Sequence, residues 1–303
     1  MAKFQPMGDK CILMHKNIEV ARIQLDPEKG TIISVDEKLN EQHMPPSTNH
    51  PNIGITKLLN GWWLGRCIPS DREKMYKKVI QKNRNIEVPE TLLLKSLGFN
   101  LTDHYWVKPE GTDLRWEDFN FHDNDYSEVF SQAAFFGING DITDIDYHTP
   151  DLFTNGNMPK FWHKVNGENR LYKTLEIGKE NSLEIFNEVV ASKVAAKLGI
   201  SSVSYEFEVI NGKMFCSCPC MINKDTELIR AAYVPERKKV NHENRFQYYV
   251  SCFAETGIPK EKVEDAFNKM IVLDYLLYHS DRHLMNFGLL RSPKTLYGIK
   301  VNR

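Results

Sequence analysis

The stretch His279-Ser280-Asp281-Arg282-His283-Leu284-Met285-Asn286-Phe287-Gly288 decides how this chain is read. An Asp followed five positions later by an Asn is the spacing with which phosphoryl-transfer loops place two groups: a proton acceptor for a substrate hydroxyl and a magnesium ligand. Two other readings stand beside it. His279, Asp281 and His283 alternate as a hydrolytic metal triad would. A plain polar loop after a helix, with His279 near the negative end of the dipole, is the third. The residues upstream decide among them.

Working back from the loop, apolar periodicity predicts a helix from about Pro259 to His279, with Val263, Phe267, Met270, Ile271 and Leu277 on its inner side. Before it, Val203 to Ile210 and Lys213 to Cys218 read as strands around a turn at Asn211-Gly212. A helix precedes these, with apolar positions Leu183, Phe186, Val190 and Val194, a capping box of Asn181 and Glu184 at its start and Gly199 at its end. Before that, Phe161 to Val165 and Arg170 to Leu175 form a hairpin about Asn166-Gly167-Glu168-Asn169.

Strand, helix, strand pair, long helix and D-x-x-x-x-N is the order of parts in a kinase core, and each part can be tested for the residue it should carry. Lys173 stands in the strand before the first helix, on the face opposite Tyr172 and Thr174. Glu188 follows fifteen residues later, where a carboxylate can hold a phosphate-binding ammonium in place. Taken singly, each is an ordinary solvated residue. In order with Asp281 and Asn286, they favour the phosphoryl-transfer reading. No G-x-G-x-x-G precedes Lys173. Thr154-Asn155-Gly156-Asn157-Met158-Pro159-Lys160 stands there instead, a turn-forming run whose backbone N–H groups and lysine can cradle phosphate. Cys218-Pro219-Cys220-Met221 falls where a hinge offers backbone hydrogen bonds to adenine.

The first half of the chain is read more coarsely. Cys11 to Met14, Ile18 to Ile23 and Thr31 to Val35 make a small β-meander, with Asp26-Pro27-Glu28-Lys29-Gly30 as one turn. Pro45-Pro46-Ser47-Thr48-Asn49 reads as a linker. Helical pieces follow between Ile55 and Leu97, one opening at Asp71-Arg72-Glu73-Lys74 and one containing Leu92-Leu93-Leu94 that Gly98 would end. From residue 102 to 130, Tyr105, Trp106, Trp116, Phe119 and Phe121 interleave with acidic residues, seven of them from Glu110 through Glu128. Such aromatics pin an irregular stretch onto a domain.

Composition sets the bounds. The chain has 303 residues, 41% hydrophobic and 26% charged, enough for a bilobed globular protein. A formal charge of -1 provides no broad basic field, so direct nucleic-acid binding is not expected. The N-terminus shows no secretory pattern, and the most apolar run, Met270 to Tyr278, is too short to cross a bilayer. The expected location is therefore cytoplasmic, without membrane association. The six cysteines read as free thiols, and Cys216, Cys218 and Cys220 share one face of an extended segment, where a soft-metal site is the minor alternative.

Two segments, Phe186 to Ile200 (FNEVVASKVAAKLGI) and Leu273 to Gly288 (LDYLLYHSDRHLMNFG), resemble the HipA-type kinases, toxin-like bacterial serine/threonine kinases distantly similar to phosphatidylinositol kinases. The resemblance is clearest from about Lys160 to Gly288. It implies an α+β, bilobed kinase-like fold: an N-terminal β/α region over 1–149, a small lobe over 150–222 and a partial, incomplete helical large lobe over 223–303. It further implies transfer of the ATP γ-phosphate to a protein serine or threonine, with Mg2+ as cofactor. Asp281 would then be the catalytic base, Lys173 the phosphate-binding lysine, Glu188 its helix partner and Asn286 a magnesium ligand. His283 would lie beside the nucleotide, Gly156 in the phosphate loop, and Cys218 and Cys220 at the hinge. A protein substrate and an antitoxin are the implied partners.

One departure stands out. Kinases of this type use a second metal-binding Asp after the Asn, and residues 282 to 303 contain neither Asp nor Glu. Impaired activity is therefore expected, with a non-catalytic nucleotide-binding or interaction protein as the alternative. An apolar helix face from Val263 to Leu277 would also lack part of its cover.

Overall fold

The computed structural model describes residues 8–48, 52–67, 90–136, 146–154, 156, 158–175, 182–235 and 243–302. Three antiparallel sheets organise these residues.

The first sheet has the order β3-β2-β1-β4, from β1 (Lys10–His15), β2 (Ile18–Asp26), β3 (Thr31–Lys38) and β4 (Tyr105–Pro109). Its first three strands are the expected meander. Asp26 closes the β2–β3 turn, its Oδ1 accepting from the Glu28 and Lys29 amides at 3.0 and 3.1 Å. β1 and β4 are buried on both faces, which erases the period-two signal and explains why β4 was legible only as an aromatic cluster. On one face Leu13, Ile23 and Val107 join Leu59 and Trp63 of α1 (Ile55–Leu64) and Leu92 to Leu94 of α2 (Thr91–Lys95). On the other, Ile12, Met14 and Trp106 meet Phe99, Phe121 and Trp116, the last opening α3 (Trp116–Phe119). The aromatics of the acidic stretch are thus core residues. The supposed linker is also folded down: Thr48 is buried, and its hydroxyl donates to the Pro45 carbonyl at 2.6 Å. The helix start at Asp71 lies outside the described residues.

The second sheet runs β5-β6-β8-β7, from β5 (Lys160–Val165), β6 (Glu168–Lys173), β7 (Glu206–Ile210) and β8 (Lys213–Pro219). Both hairpins close on two residues, Asn166-Gly167 and Asn211-Gly212, with φ of 51° and 83°, then 50° and 75°. Asn-Gly is favoured there because both positions of such a turn need φ above zero. The first turn is therefore tighter than the four residues expected, since Glu168 and Asn169 already pair in β6. α4 (Val129–Phe136) supplies Phe135 to a cluster with Phe161, Tyr172 and Phe215 on one face. On the other lies α5 (Glu184–Lys197), through Ile185 and Val189 against Cys216. Its buried stripe is Ile185, Val189, Ser192 and Ala195, one position away from the expected stripe; Leu183, Phe186 and Val190 face outward. Asn181, half of the expected capping box, lies outside the described residues, and the Ser182 hydroxyl accepts from the Glu184 amide at 3.3 Å.

The third sheet, β11-β10-β9, was not foreseen: β9 (Glu227–Arg230), β10 (Gly288–Arg291) and β11 (Gly298–Asn302). α6 (Arg245–Glu255) and α7 (Lys260–Leu276) pack with it around Phe253, Phe267 and Leu289. The first part of α7 buries Val263, Phe267 and Met270 as expected. Beyond Met270 the expected inner face does not hold: Ile271 is 53% exposed, and Val272, Tyr275 and Leu276 are exposed beside it. No described helix is long and apolar enough to cross a membrane.

Candidate active site

The second sheet positions Lys173. Its register places Lys173 opposite Lys160 of β5 and Cys216 of β8, so three side chains of neighbouring strands share the face that α5 covers. From α5, Glu188 accepts a hydrogen bond from Lys173 Nζ at 2.5 Å, and the Tyr205 hydroxyl meets the same ammonium at 2.6 Å. The ammonium also lies 4.6 Å from the Tyr205 ring centroid. Burial pushes the Tyr205 phenol well above its ordinary pKa, so it remains a neutral hydroxyl beside the ion pair. Sequence reading named Lys173 and Glu188 but missed Tyr205, which precedes β7 and carries no periodic signal.

Gly156 has φ of +96°, and a Cβ built there would come within 2.5 Å of Lys160 Nζ. The Lys160 side chain therefore runs under the glycine turn, and the residue is only 6% exposed. Two ammonium groups, from Lys160 and Lys173, thus issue from paired positions at one end of the sheet.

The segment read as a hinge is built differently at its two cysteines. Cys218 is buried in β8, and burial raises its thiol pKa. The Cys220 amide already donates to the Asn169 carbonyl at 2.8 Å, so that donor is taken. Burial lifts the thiols of Cys216 and Cys220 to about 12 each, which keeps them protonated. Among the described residues, no three His, Cys, Asp or Glu side chains converge on a metal-sized position.

The Asp281 loop is held from two directions. Behind it, Asp274 of α7 accepts from Arg282 twice, Nε to Oδ2 at 2.8 Å and the terminal nitrogen to Oδ1 at 2.6 Å. The His279 ring lies 3.3 Å from the same carboxylate, and the His279 amide donates to the Asp274 carbonyl at 2.8 Å. Tyr278, at φ of +53°, turns the chain out of the helix. In front, Arg230 of β9 donates to the Met285 carbonyl at 2.8 Å, and the Ala231 and Ala232 amides bond the Phe287 and Leu284 carbonyls. Sequence reading noted Asp274 only as a charge interrupting an apolar run. Its anchoring role is the reason the charge is there.

Within the loop, Asn286 Nδ2 donates to the Asp281 carbonyl at 2.8 Å, while the Asn286 amide bonds the His283 carbonyl at 2.9 Å. This leaves the Asp281 carboxylate exposed on a loop of fixed shape. His283 is exposed, and its Nδ1 accepts from the Met285 amide at 3.2 Å. The chain then enters β10 through Gly288, where a Cβ would come within 2.1 Å of the Ile229 carbonyl oxygen. Among the described residues, no hydrogen bond or ion pair joins the Lys173–Glu188 pair to the Asp281 loop.

No protein-family model matches the sequence, and no curated protein does. Solved structures do match in shape. The Helicobacter pylori proinflammatory kinase CtkA matches at 20% identity and a TM-score of 0.42, over 49% of this chain and 52% of that one. The present chain thus spans about half the length of that structure. The Shewanella oneidensis MR-1 complex of the toxin-antitoxin proteins HipA and HipB with their operator DNA matches at 12% identity and a TM-score of 0.58, over 96% of this chain and 74% of that one. The chain has a HipA-like fold. This α+β architecture extends over the first sheet as well as the two that carry the candidate site residues.

Proposed function

We propose that this protein transfers the γ-phosphoryl group of ATP to a serine or threonine hydroxyl of another protein. The observation that carries the reading is the Lys173–Glu188 pair at 2.5 Å, on a HipA-like fold that also carries Asp281 and Asn286 in one stapled loop. Lys173, fixed by Glu188 and Tyr205, neutralises phosphate oxygens; Lys160 beneath the Gly156 turn adds a second positive charge. Asp281 accepts the proton of the substrate hydroxyl as that oxygen attacks phosphorus. Asn286 orders the loop through its amide nitrogen and would hold magnesium through its amide oxygen.

The residues fit a triphosphate better than they fit the metal. Two lysines face the phosphate side, whereas Asn286 and Asp281 are the oxygen donors the loop offers, and the β10–β11 hairpin that follows has no carboxylate. When bound, magnesium neutralises charge on the migrating phosphoryl group. In the Shewanella complex, HipA is found with HipB and operator DNA. A DNA-binding antitoxin is accordingly the partner class we propose, and the cytoplasm the location.

Phosphate transfer from labelled ATP, dependent on magnesium, tests the reading, with Asp281→Ala as control. Nucleotide binding without transfer, identical in the wild type and the Asp281→Ala variant, would instead assign the fold to a non-catalytic nucleotide-binding or interaction role.

A further inference from the structure

A cavity of about 70 Å³ lies on the seam between the first sheet and the third, away from Lys173 and Glu188. Trp62, Arg66 and Asp103 line it from one side, and Arg230, Tyr233 and Met285 from the other. A single water needs only about 10–15 Å³ of such space, so the cavity accommodates a small polyatomic ligand.

Its chemistry is set by Arg66, which is 5% exposed. The guanidinium is locked: one terminal nitrogen donates to Asp103 Oδ2 at 2.7 Å, the other to the Gly98 and Tyr105 carbonyls at 2.6 and 3.1 Å. Its face lies on the Trp62 ring, 4.6 Å from the centroid. These contacts use the fork and leave Nε, which has no partner among the described residues. A buried guanidinium N–H without an acceptor is costly, and a native fold rarely keeps one without a reason. Across the cavity stands a second guanidinium, Arg230, whose donation to the Met285 carbonyl fixes it at the base of the Asp281 loop. With Asp103 paired to Arg66, the two guanidiniums leave the lining with an excess of positive charge.

We infer that this seam cavity is a binding site for a small oxyanion, a phosphate or a carboxylate group, received by Arg66 and Arg230. Guanidinium donors match the oxygen geometry of both groups. Because Arg66 follows α1, which packs on the first sheet, while Arg230 lies in β9 of the third, the bound anion ties these two parts together. Because Arg230 also holds Met285, occupancy is felt at the loop that carries Asp281.

The test is thermal unfolding of the full chain in rising inorganic phosphate, set against chloride and acetate at matched ionic strength. A saturable stabilisation by phosphate beyond chloride is the expected result, since a ligand that binds only the folded state raises its stability with concentration. Arg230→Gln, and Arg66→Lys where it folds, should weaken the apparent affinity about tenfold or more, the loss expected for a charge-assisted hydrogen bond. Lys173→Met should leave it unchanged. An equal response to acetate assigns the site to carboxylates as well; a phosphate-only response assigns it to phosphate. The inference fails if phosphate and chloride act alike. It fails equally if Lys173→Met abolishes the response while Arg230→Gln retains it, for the anion then belongs to the nucleotide site. None of these outcomes depends on phosphate transfer, so the site and the proposed activity stand or fall separately.

Discussion

Glu227 of β9 and Arg291 of β10 form a buried ion pair, with Arg291 Nε 2.5 Å from Glu227 Oε1. The other Glu227 oxygen lies 3.1 Å from His15 Nε2 in β1, and the His15 ring in turn meets His43 Nδ1 at 2.8 Å. Arg291 also donates to the Tyr105 hydroxyl of β4 at 2.9 Å. Burial works against the Glu227 carboxylate, yet Arg291 and then His15 outweigh it and hold its pKa far below the usual range. This network joins the first sheet to the third.

Breaking it on one side only should be severe. Glu227→Leu or Arg291→Met alone leaves a buried charge uncompensated, with an expected loss of about 3–5 kcal/mol in denaturant unfolding. The double variant E227L/R291M should lose less than either single change. Additive losses in that cycle would show that the pair acts as two independent side chains.

The Asp281 loop should depend on Asp274. Asp274→Ala removes both Arg282 bonds and the His279 contact, and should cost about 1–3 kcal/mol of stability. If the protein transfers phosphate, kcat falls in this variant while ATP affinity holds, because Asp274 lies behind the loop and not at the nucleotide. Loss of ATP affinity without a change in kcat would contradict that placement.

Lys173→Met should abolish nucleotide-dependent stabilisation while leaving the circular dichroism spectrum intact. Glu188→Gln should weaken it less, because Tyr205 still holds the ammonium. Transfer activity should fall about a hundredfold or more in the lysine variant, as expected when a preorganised phosphate contact is removed. Titrating ATP against the melting temperature of the three proteins checks the order.

Stability should fall on mild acidification. Burial holds the imidazole of His104 down to about 4 and that of His122 to about 3, so both are neutral in the folded protein at pH 5. The unfolded chain takes up protons near pH 6.5, so between that pH and about 4 the unfolded state binds more protons and gains relative stability. Urea midpoints at pH 7.5 and pH 5 should show the drop. His104→Asn should flatten the profile; an unchanged slope would place the proton uptake elsewhere.

Gly288→Ala tests the entrance to β10. A Cβ there meets the Ile229 carbonyl oxygen at 2.1 Å, so the β9–β10 pairing must open, with an expected loss of about 1–3 kcal/mol. A folded variant with unchanged stability would show that the two strands separate without cost.

The parts that sequence made legible are those where one local rule decides the outcome. Asn211-Gly212 fixes its hairpin, and the alternation around Lys173 correctly places it opposite Tyr172. The parts that were hidden have two competing demands on one residue. β4 is buried on both faces, so its alternation disappears. α5 turns Ile185 and Val189 inward because Glu188 must point at Lys173, and it leaves Phe186 and Val190 outside. The third sheet was invisible because β9 pairs with β10 across more than fifty intervening residues, and short strands of four residues carry too little pattern to reveal such a partner.

The sequence distance inside the buried network has a consequence for synthesis. His15 is separated from its Glu227 partner by 212 residues, and Arg291 follows Glu227 by 64 more. A ribosome that has released the first sheet has not yet made either group, so His15 Nε2 waits for its Glu227 partner while the later strands are made. The link between the first sheet and the third can close only once β10 has been made.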